Sequence, residues 1–203
     1  MPDMTKYEEL YSQIPGMILQ LPAECLAFME YLDTTVKPRS FLEIGICQGG
    51  TFFLWCSLAN PSGIKLGIDL PNGPWGVSHE RTEKEIATNR QRFETFAPNT
   101  HVLFADSKAP SSIDWVRNKL DGEKLDFIFI DGDHSYRNAK IDYLNYSPLV
   151  RKGGIVAVHD IKDSAEHAKA ACDVYKLWHE LEGEKKEFVD HSSGYGGIGA
   201  LIV

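Results

Sequence analysis

From Phe41 onward, short apolar runs alternate with stretches whose apolar residues recur at helical spacing. The runs are FLEIGI (41–46), IKLGIDL (64–70), HVLFAD (101–106), LDFIFID (125–131) and GIVAVHD (154–160). Runs this short, rich in β-branched and aromatic residues, read as buried parallel strands. Between them, Ile86, Arg90, Phe93 and Ala97 share one helical face. Ile113, Val116 and Leu120 mark a second helix, and Ile141, Tyr143 and Leu144 a third that Pro148 ends or kinks. Ala165, Ala168, Cys172, Tyr175 and Trp178 predict one long fourth helix. Strands alternating with helices imply right-handed crossovers and a doubly wound α/β sheet. FVD (188–190) and IGALIV (198–203), joined by a turn, predict an antiparallel pair at one edge. Residues 1–40 read as a helical extension with helices near Tyr7–Ile14 and Pro22–Thr34. Residues 41–203 form the sheet domain, so the chain is one domain overall.

Composition narrows the class. The 203 residues are 43% hydrophobic and 25% charged, ordinary for a globular chain with one core. The net charge of −8 argues against nucleic acid or an anionic membrane as partner. Cys25, Cys47, Cys56 and Cys172 make no CxxC pair and no zinc spacing, and read as reduced cysteines of a cytoplasmic protein. The N-terminus has no secretory apolar core. Residues 44–64 carry no charge, but Gln48, Gly49, Gly50, Asn60, Pro61 and Gly63 break them into strand, turn and helix.

Candidate chemistry sits where the strands end. In a doubly wound sheet, ligands bind outside the carboxyl ends of the strands. The first strand runs into Glu43-x-Gly45-x-x-x-Gly49-Gly50-Thr51, where glycines let the backbone approach a ligand. This is not GxGxxG, which weighs against a nicotinamide dinucleotide. Asp69 ends the second strand, about twenty residues on, where a carboxylate can accept both ribose hydroxyls. Asp106-Ser107 end the third and can reach an adenine edge. Asp131-Gly132-Asp133-His134 end the fourth, and His159-Asp160 the fifth. Each acid alone fits a helix N-cap; together they make one polar rim.

These residues resemble class I S-adenosylmethionine-dependent methyltransferases over about residues 40–203. The most similar group is the small O-methyltransferases of macrolide and aminocoumarin sugars, placed with the cephalosporin hydroxylase family. The similarity is carried by the Glu43–Thr51 motif, by FIDGDHSYRNAKIDYLNYSPLVRKGGIVAVHDI (129–161), and by Cys172-x-Val174-x-x-Leu177-Trp178 with the final hairpin. The resemblance implies seven strands, the last antiparallel. It implies Glu43 and Gly45 beside the methionine part of the cofactor, Asp69 on the ribose, and Asp106 with Ser107 on the adenine. Gly49, Gly50, Thr51 and Asp131 complete the expected cofactor contacts. It further implies a metal on Asp131, Asp160 and the residue before the latter, here His159, a donor set that suits Mg²⁺ less than a softer divalent ion. The base is Asp133 or His134, with His134 favoured because its ordinary pKa lies near neutrality.

The expected reaction is methyl transfer to a hydroxyl of a small molecule, a sugar being one candidate. Two other readings are a non-heme iron oxygenase using His134, His159 and Asp131 or Asp160, and a non-catalytic cofactor-binding module. Tyr136, Arg137, Trp75 and His79 are candidate acceptor contacts. The loop at 70–80 is either a lid or a plain surface excursion. Met17–Leu21 is a lid, a dimer contact or simple packing, and a homo-oligomer stays open. Trp178 reads as core.

Overall fold

The structure, a computed structural model, describes residues 4–14, 18–71 and 81–203. Seven strands form one sheet in the order β3-β2-β1-β4-β5-β7-β6. Five of them are parallel: β1 (Phe41–Ile44), β2 (Lys65–Asp69), β3 (Thr100–Phe104), β4 (Leu125–Ile130) and β5 (Val150–His159). β7 (Ile198–Ile202) runs antiparallel to β5, and β6 (Lys185–Phe188) antiparallel to β7.

The period of two along each strand divides two cores. Phe127 and Phe129 of β4 join Phe41 on one face, while Ile128 and Ile130 join Leu42 and Ile44 on the other. Helices α1 (Thr5–Ser12), α2 (Pro22–Tyr31), α3 (Gly50–Leu58) and α4 (Glu83–Glu94) cover the first face. Phe28 of α2 meets Trp55 of α3 edge-on at 5.3 Å and also packs on Phe127, Phe129 and Phe188. The N-terminal helices therefore share the sheet's own core. Helices α5 (Pro110–Leu120), α6 (Tyr136–Tyr146), α7 (Ala165–Lys169) and α8 (Tyr175–Glu180) lie after β3, β4 and β5, with α5, α6 and α8 in the second core.

Local chemistry sets several boundaries. Thr82 and Glu85 form a capping box on α4, and Pro110 opens α5. α6 ends at Tyr146, and Ser147–Leu149 continue as a short 3₁₀ turn containing Pro148. At the sheet's amino end, the buried Lys65 ammonium donates to the carbonyls of Asn60 (2.7 Å), Gly63 (2.9 Å), Pro61 (3.1 Å) and Pro98 (3.2 Å).

Two expectations are corrected. The sixth strand is Lys185–Phe188, earlier than 188–190; its charged KKEF pattern suits an exposed edge. The single helix expected across 165–178 is two short ones. Ala171 takes a left-handed φ of 54° between them, and Asp173 N–H donates to the His134 carbonyl at 3.0 Å. Tertiary contacts there override the apolar spacing. Trp178 is core, as expected. Among the described residues no helix is long and apolar enough to cross a membrane.

Candidate active site

β1 and β4 lie side by side at the point where the strand order reverses. A cavity of about 500 Å³ opens beyond their carboxyl ends. One wall is the turn after β1. Gly45 has φ 90°, and a Cβ there would stand 2.0 Å from the Asp131 carbonyl oxygen. Gly45 thus lets two strand ends close together at the cavity floor. Gly50 and Thr51 line the cavity as well, whereas Gly49, at φ 86°, packs on the Phe93 ring, which a Cβ would meet at 2.4 Å. The Gly49 requirement is for packing and turn shape.

Glu43 lies fully buried beneath this wall and outside the lining. Its Oε1 accepts the Thr51 hydroxyl at 2.5 Å, and its Oε2 has no hydrogen-bond partner. Burial pushes its pKa well up, and the Thr51 hydrogen bond opposes the rise.

The next wall carries Asp69 and Asp106-Ser107. Asp69 Oδ2 accepts from Arg81 at 3.0 Å in a nearly buried ion pair. Burial raises the Asp69 pKa, and Arg81 opposes the rise. Asp106 Oδ1 accepts from the Lys108 backbone at 2.9 Å and faces its ammonium at 3.1 Å. The Ser107 hydroxyl donates to buried Asp142 at 2.7 Å, and Tyr146 donates to the Ser107 carbonyl at 2.6 Å.

The opposite wall is built around Asp160, at φ 62° just past β5. A left-handed non-glycine residue costs about 1–3 kcal/mol and marks a position the surroundings over-determine. His134 Nδ1 lies 2.6 Å from Asp160 Oδ2, and the Cys172 thiol donates to the same oxygen at 3.6 Å. His159 Nδ1 and His167 Nε2 each lie 3.2 Å from Asp160 Oδ1. His159 Nδ1 is also 3.1 Å from Asp131 Oδ1. Gln20, from the segment before α2, donates to Asp131 Oδ2.

Burial would lower the His134 pKa, but Asp160, Cys172 and Asp131 hold it up at about 10. His159 is likewise held well above its ordinary value by Asp131 and Asp160 against burial. Burial would raise the Asp160 pKa, but the imidazoles of His159, His134 and His167 pull it well below the carboxylate range. His167 Nδ1 faces the Lys162 carbonyl at 2.7 Å, and Gly196 N–H donates to Nε2 at 3.1 Å. A carbonyl only accepts, so Nδ1 carries a hydrogen, and the Asp160 carboxylate beside Nε2 raises the His167 pKa.

Asp133 is differently occupied. Its Oδ1 accepts the Ser135 N–H (2.9 Å) and hydroxyl (2.6 Å), and its Oδ2 accepts from Asn138 at 2.9 Å. Burial would raise its pKa, but these bonds bring it below the ordinary value. Asp133 therefore holds the turn into α6 and is a poor proton acceptor. Tyr136 turns away to Glu180, at 2.6 Å, and neither it nor Arg137 lines the cavity. Met17, Trp75 and His79 lie outside the described residues. Leu19, Gln20 and Leu21 do line the cavity.

Two groups have coordinating atoms close enough together for an ion: Asp131, His159 and Asp160; and His134, Asp160 and Cys172. Each contains one histidine, so the two-histidine, one-carboxylate set needed for an iron oxygenase is not assembled among the described residues. Sequence reasoning missed Gln20, His167 and the polar role of Cys172. None had a local signal: Cys172 fitted an apolar helical face, and the other two reach the site from separate segments.

A methyltransferase-domain family model matches residues 42–161, more than half of the chain. The chain belongs to this family, and its fold is that of the class I S-adenosylmethionine-dependent methyltransferases. An O-methyltransferase from Bacillus cereus, solved in complex with S-adenosylhomocysteine, is 18% identical with a TM-score of 0.64, over 98% of this chain and 90% of that one. The calicheamicin methyltransferase CalS11 is 12% identical with a TM-score of 0.60, over 96% and 90%. The N-methyltransferase NodS from Bradyrhizobium japonicum is 14% identical with a TM-score of 0.60, over 98% and 97%. The shared fold thus does not choose between oxygen and nitrogen acceptors. In sequence, the uncharacterized protein y4gI of Sinorhizobium fredii is 21% identical over 159 residues, and an uncharacterized protein of Acanthamoeba polyphaga mimivirus is 26% identical over 124. Those matches cover 76% and 61% of this chain but only 16% and 52% of the relatives' own lengths.

Proposed function

We propose that the chain transfers the methyl group of S-adenosylmethionine to a hydroxyl of a small molecule, with sugars as the acceptor class to test first. The observation that carries this is the single cavity between two unlike walls. The glycine turn, Asp69 and Asp106-Ser107 form the wall suited to a nucleoside. The imidazole and carboxylate wall around Asp160 is suited to a hydroxyl. The protein's net charge of −8 favours such an acceptor over nucleic acid.

In this reading Asp69 accepts from the ribose hydroxyls and Asp106-Ser107 edge the adenine, while Gly45, Gly50 and Thr51 border the methionine end. Glu43 acts from below, holding Thr51. His134, whose Nδ1 faces Asp160, takes the acceptor proton in its neutral form; because Asp160, Cys172 and Asp131 hold its pKa at about 10, transfer is expected to rise with pH toward that value. The acceptor oxygen then takes the methyl carbon as the carbon–sulfur bond breaks, leaving a neutral thioether.

The Asp131, His159 and Asp160 atoms fit a divalent ion, because His159 Nδ1 and the two Oδ1 atoms face one another at 3.1 and 3.2 Å and the buried Nε2 has no partner that would fix the ring otherwise. Such an ion would supply positive charge to stabilise the alkoxide and would draw the Asp160 charge away from His134. The test is transfer of labelled methyl to a panel of hydroxylated small molecules that includes sugars, with and without added divalent ion. His134→Gln is expected to lower kcat by about 10²–10⁴-fold while cofactor affinity stays the same. Undiminished turnover in that variant would remove His134 from the role of base.

A further inference from the structure

We propose that the site at Asp131, His159 and Asp160 selects a transition-metal ion of the Co²⁺ and Zn²⁺ class over Mg²⁺, and that His159 sets this choice. This rests on the reading of these residues as a metal site and names the class of ion the site takes.

The three atoms facing one another are Asp131 Oδ1, His159 Nδ1 and Asp160 Oδ1, with the nitrogen 3.1 and 3.2 Å from the two oxygens. The imidazole is close to both carboxylates yet aligned for a hydrogen bond with neither, and its other nitrogen is equally unpaired. A protonated ring ion-pairs with both acids here, and a divalent ion on the same three atoms would take that proton's place. The carboxylates are held for the purpose. Gln20 ties Asp131 Oδ2 and His134 ties Asp160 Oδ2, so each acid presents its Oδ1 to His159. Outer partners of this kind orient metal ligands and resist their rotation.

The donor chemistry gives the ion. Mg²⁺ wants oxygen donors in near-octahedral order and keeps several waters, whereas imidazole suits Zn²⁺ and its neighbours. Here one of three donors is nitrogen. The ring lies 8% exposed, with Phe129 centred 6.4 Å away, which leaves little room for a water shell on that side.

The test titrates the metal-stripped full chain with Co²⁺, Zn²⁺ and Mg²⁺ alone, reading affinity by calorimetry and ligand geometry from the visible spectrum of Co²⁺. One equivalent of Co²⁺ is expected to bind more tightly than Mg²⁺. His159→Asp is expected to weaken Co²⁺ by at least about tenfold without weakening Mg²⁺, closing the gap between them. Asp131→Asn is expected to weaken both ions, and it serves as the second variant if His159→Asp does not fold. Equal affinity of the wild type for Co²⁺ and Mg²⁺, or Co²⁺ binding unmoved by either variant, would overturn the proposal. S-adenosylmethionine binding, measured on the same samples, separates the two readings. Its presence without Co²⁺ binding sinks the metal proposal alone, and its absence from the wild type sinks the methyltransferase reading.

Discussion

Asp142, on α6, is almost wholly buried beneath Ser107, whose hydroxyl it accepts at 2.7 Å. Burial raises its pKa from 3.8 to about 6, opposed in part by that hydrogen bond and by Lys108. At about 1.4 kcal/mol per pH unit of displacement, ionised Asp142 costs the native state about 3 kcal/mol. The sign follows from proton binding. Between pH 4 and 6 the unfolded chain has released this proton and the folded chain still holds it. Asp142 therefore contributes full stability below about pH 4 and loses it as pH rises through about 6. Asp142→Asn keeps an acceptor for Ser107 and cannot ionise. Urea unfolding at pH 4.5 and pH 8 is the assay. The variant is expected to match the wild type within about 1 kcal/mol at pH 4.5 and to exceed it by about 2–3 kcal/mol at pH 8. A difference that does not change with pH, or a variant less stable at pH 8, would refute the reasoning.

The two ends of the sheet invite separate tests. Asp69→Asn removes the charge from the expected ribose acceptor and should weaken S-adenosylmethionine binding by about 1.5–3 kcal/mol, read by calorimetry; unchanged affinity would place the ribose elsewhere. Lys65→Met deprives the Asn60, Pro61, Gly63 and Pro98 carbonyls of their common donor and should cost about 2 kcal/mol or more in urea unfolding, with the cofactor site untouched. A neutral result there would mean that water replaces the ammonium without loss.

The parallel strands were legible because each is a short apolar run with an acid or a glycine turn after it, and Asp69, Asp106, Asp131 and Asp160 all reach the carboxyl edge. The run of three charged residues in KKEF hid the edge strand, whose partner β7 supplies the pairing that its own sequence does not announce. The 165–178 segment kept helical spacing while Cys172 and Asp173 were drawn to Asp160 and His134, contacts no local pattern encodes. Asp133 and His134 are neighbours of similar promise in the sequence. Only their partners separate them: Ser135 and Asn138 occupy the acid, and Asp160 orients the imidazole. Gln20 is 111 positions from Asp131 and could be placed only by the fold.

The central claim is that the cavity beyond β1 and β4 is an S-adenosylmethionine site. Calorimetric titration of the intact chain with S-adenosylmethionine, S-adenosylhomocysteine and NAD tests it most directly. One molecule of S-adenosylmethionine per chain is expected, displaced by S-adenosylhomocysteine and indifferent to NAD. Binding of NAD with no heat from either sulfur compound would contradict it.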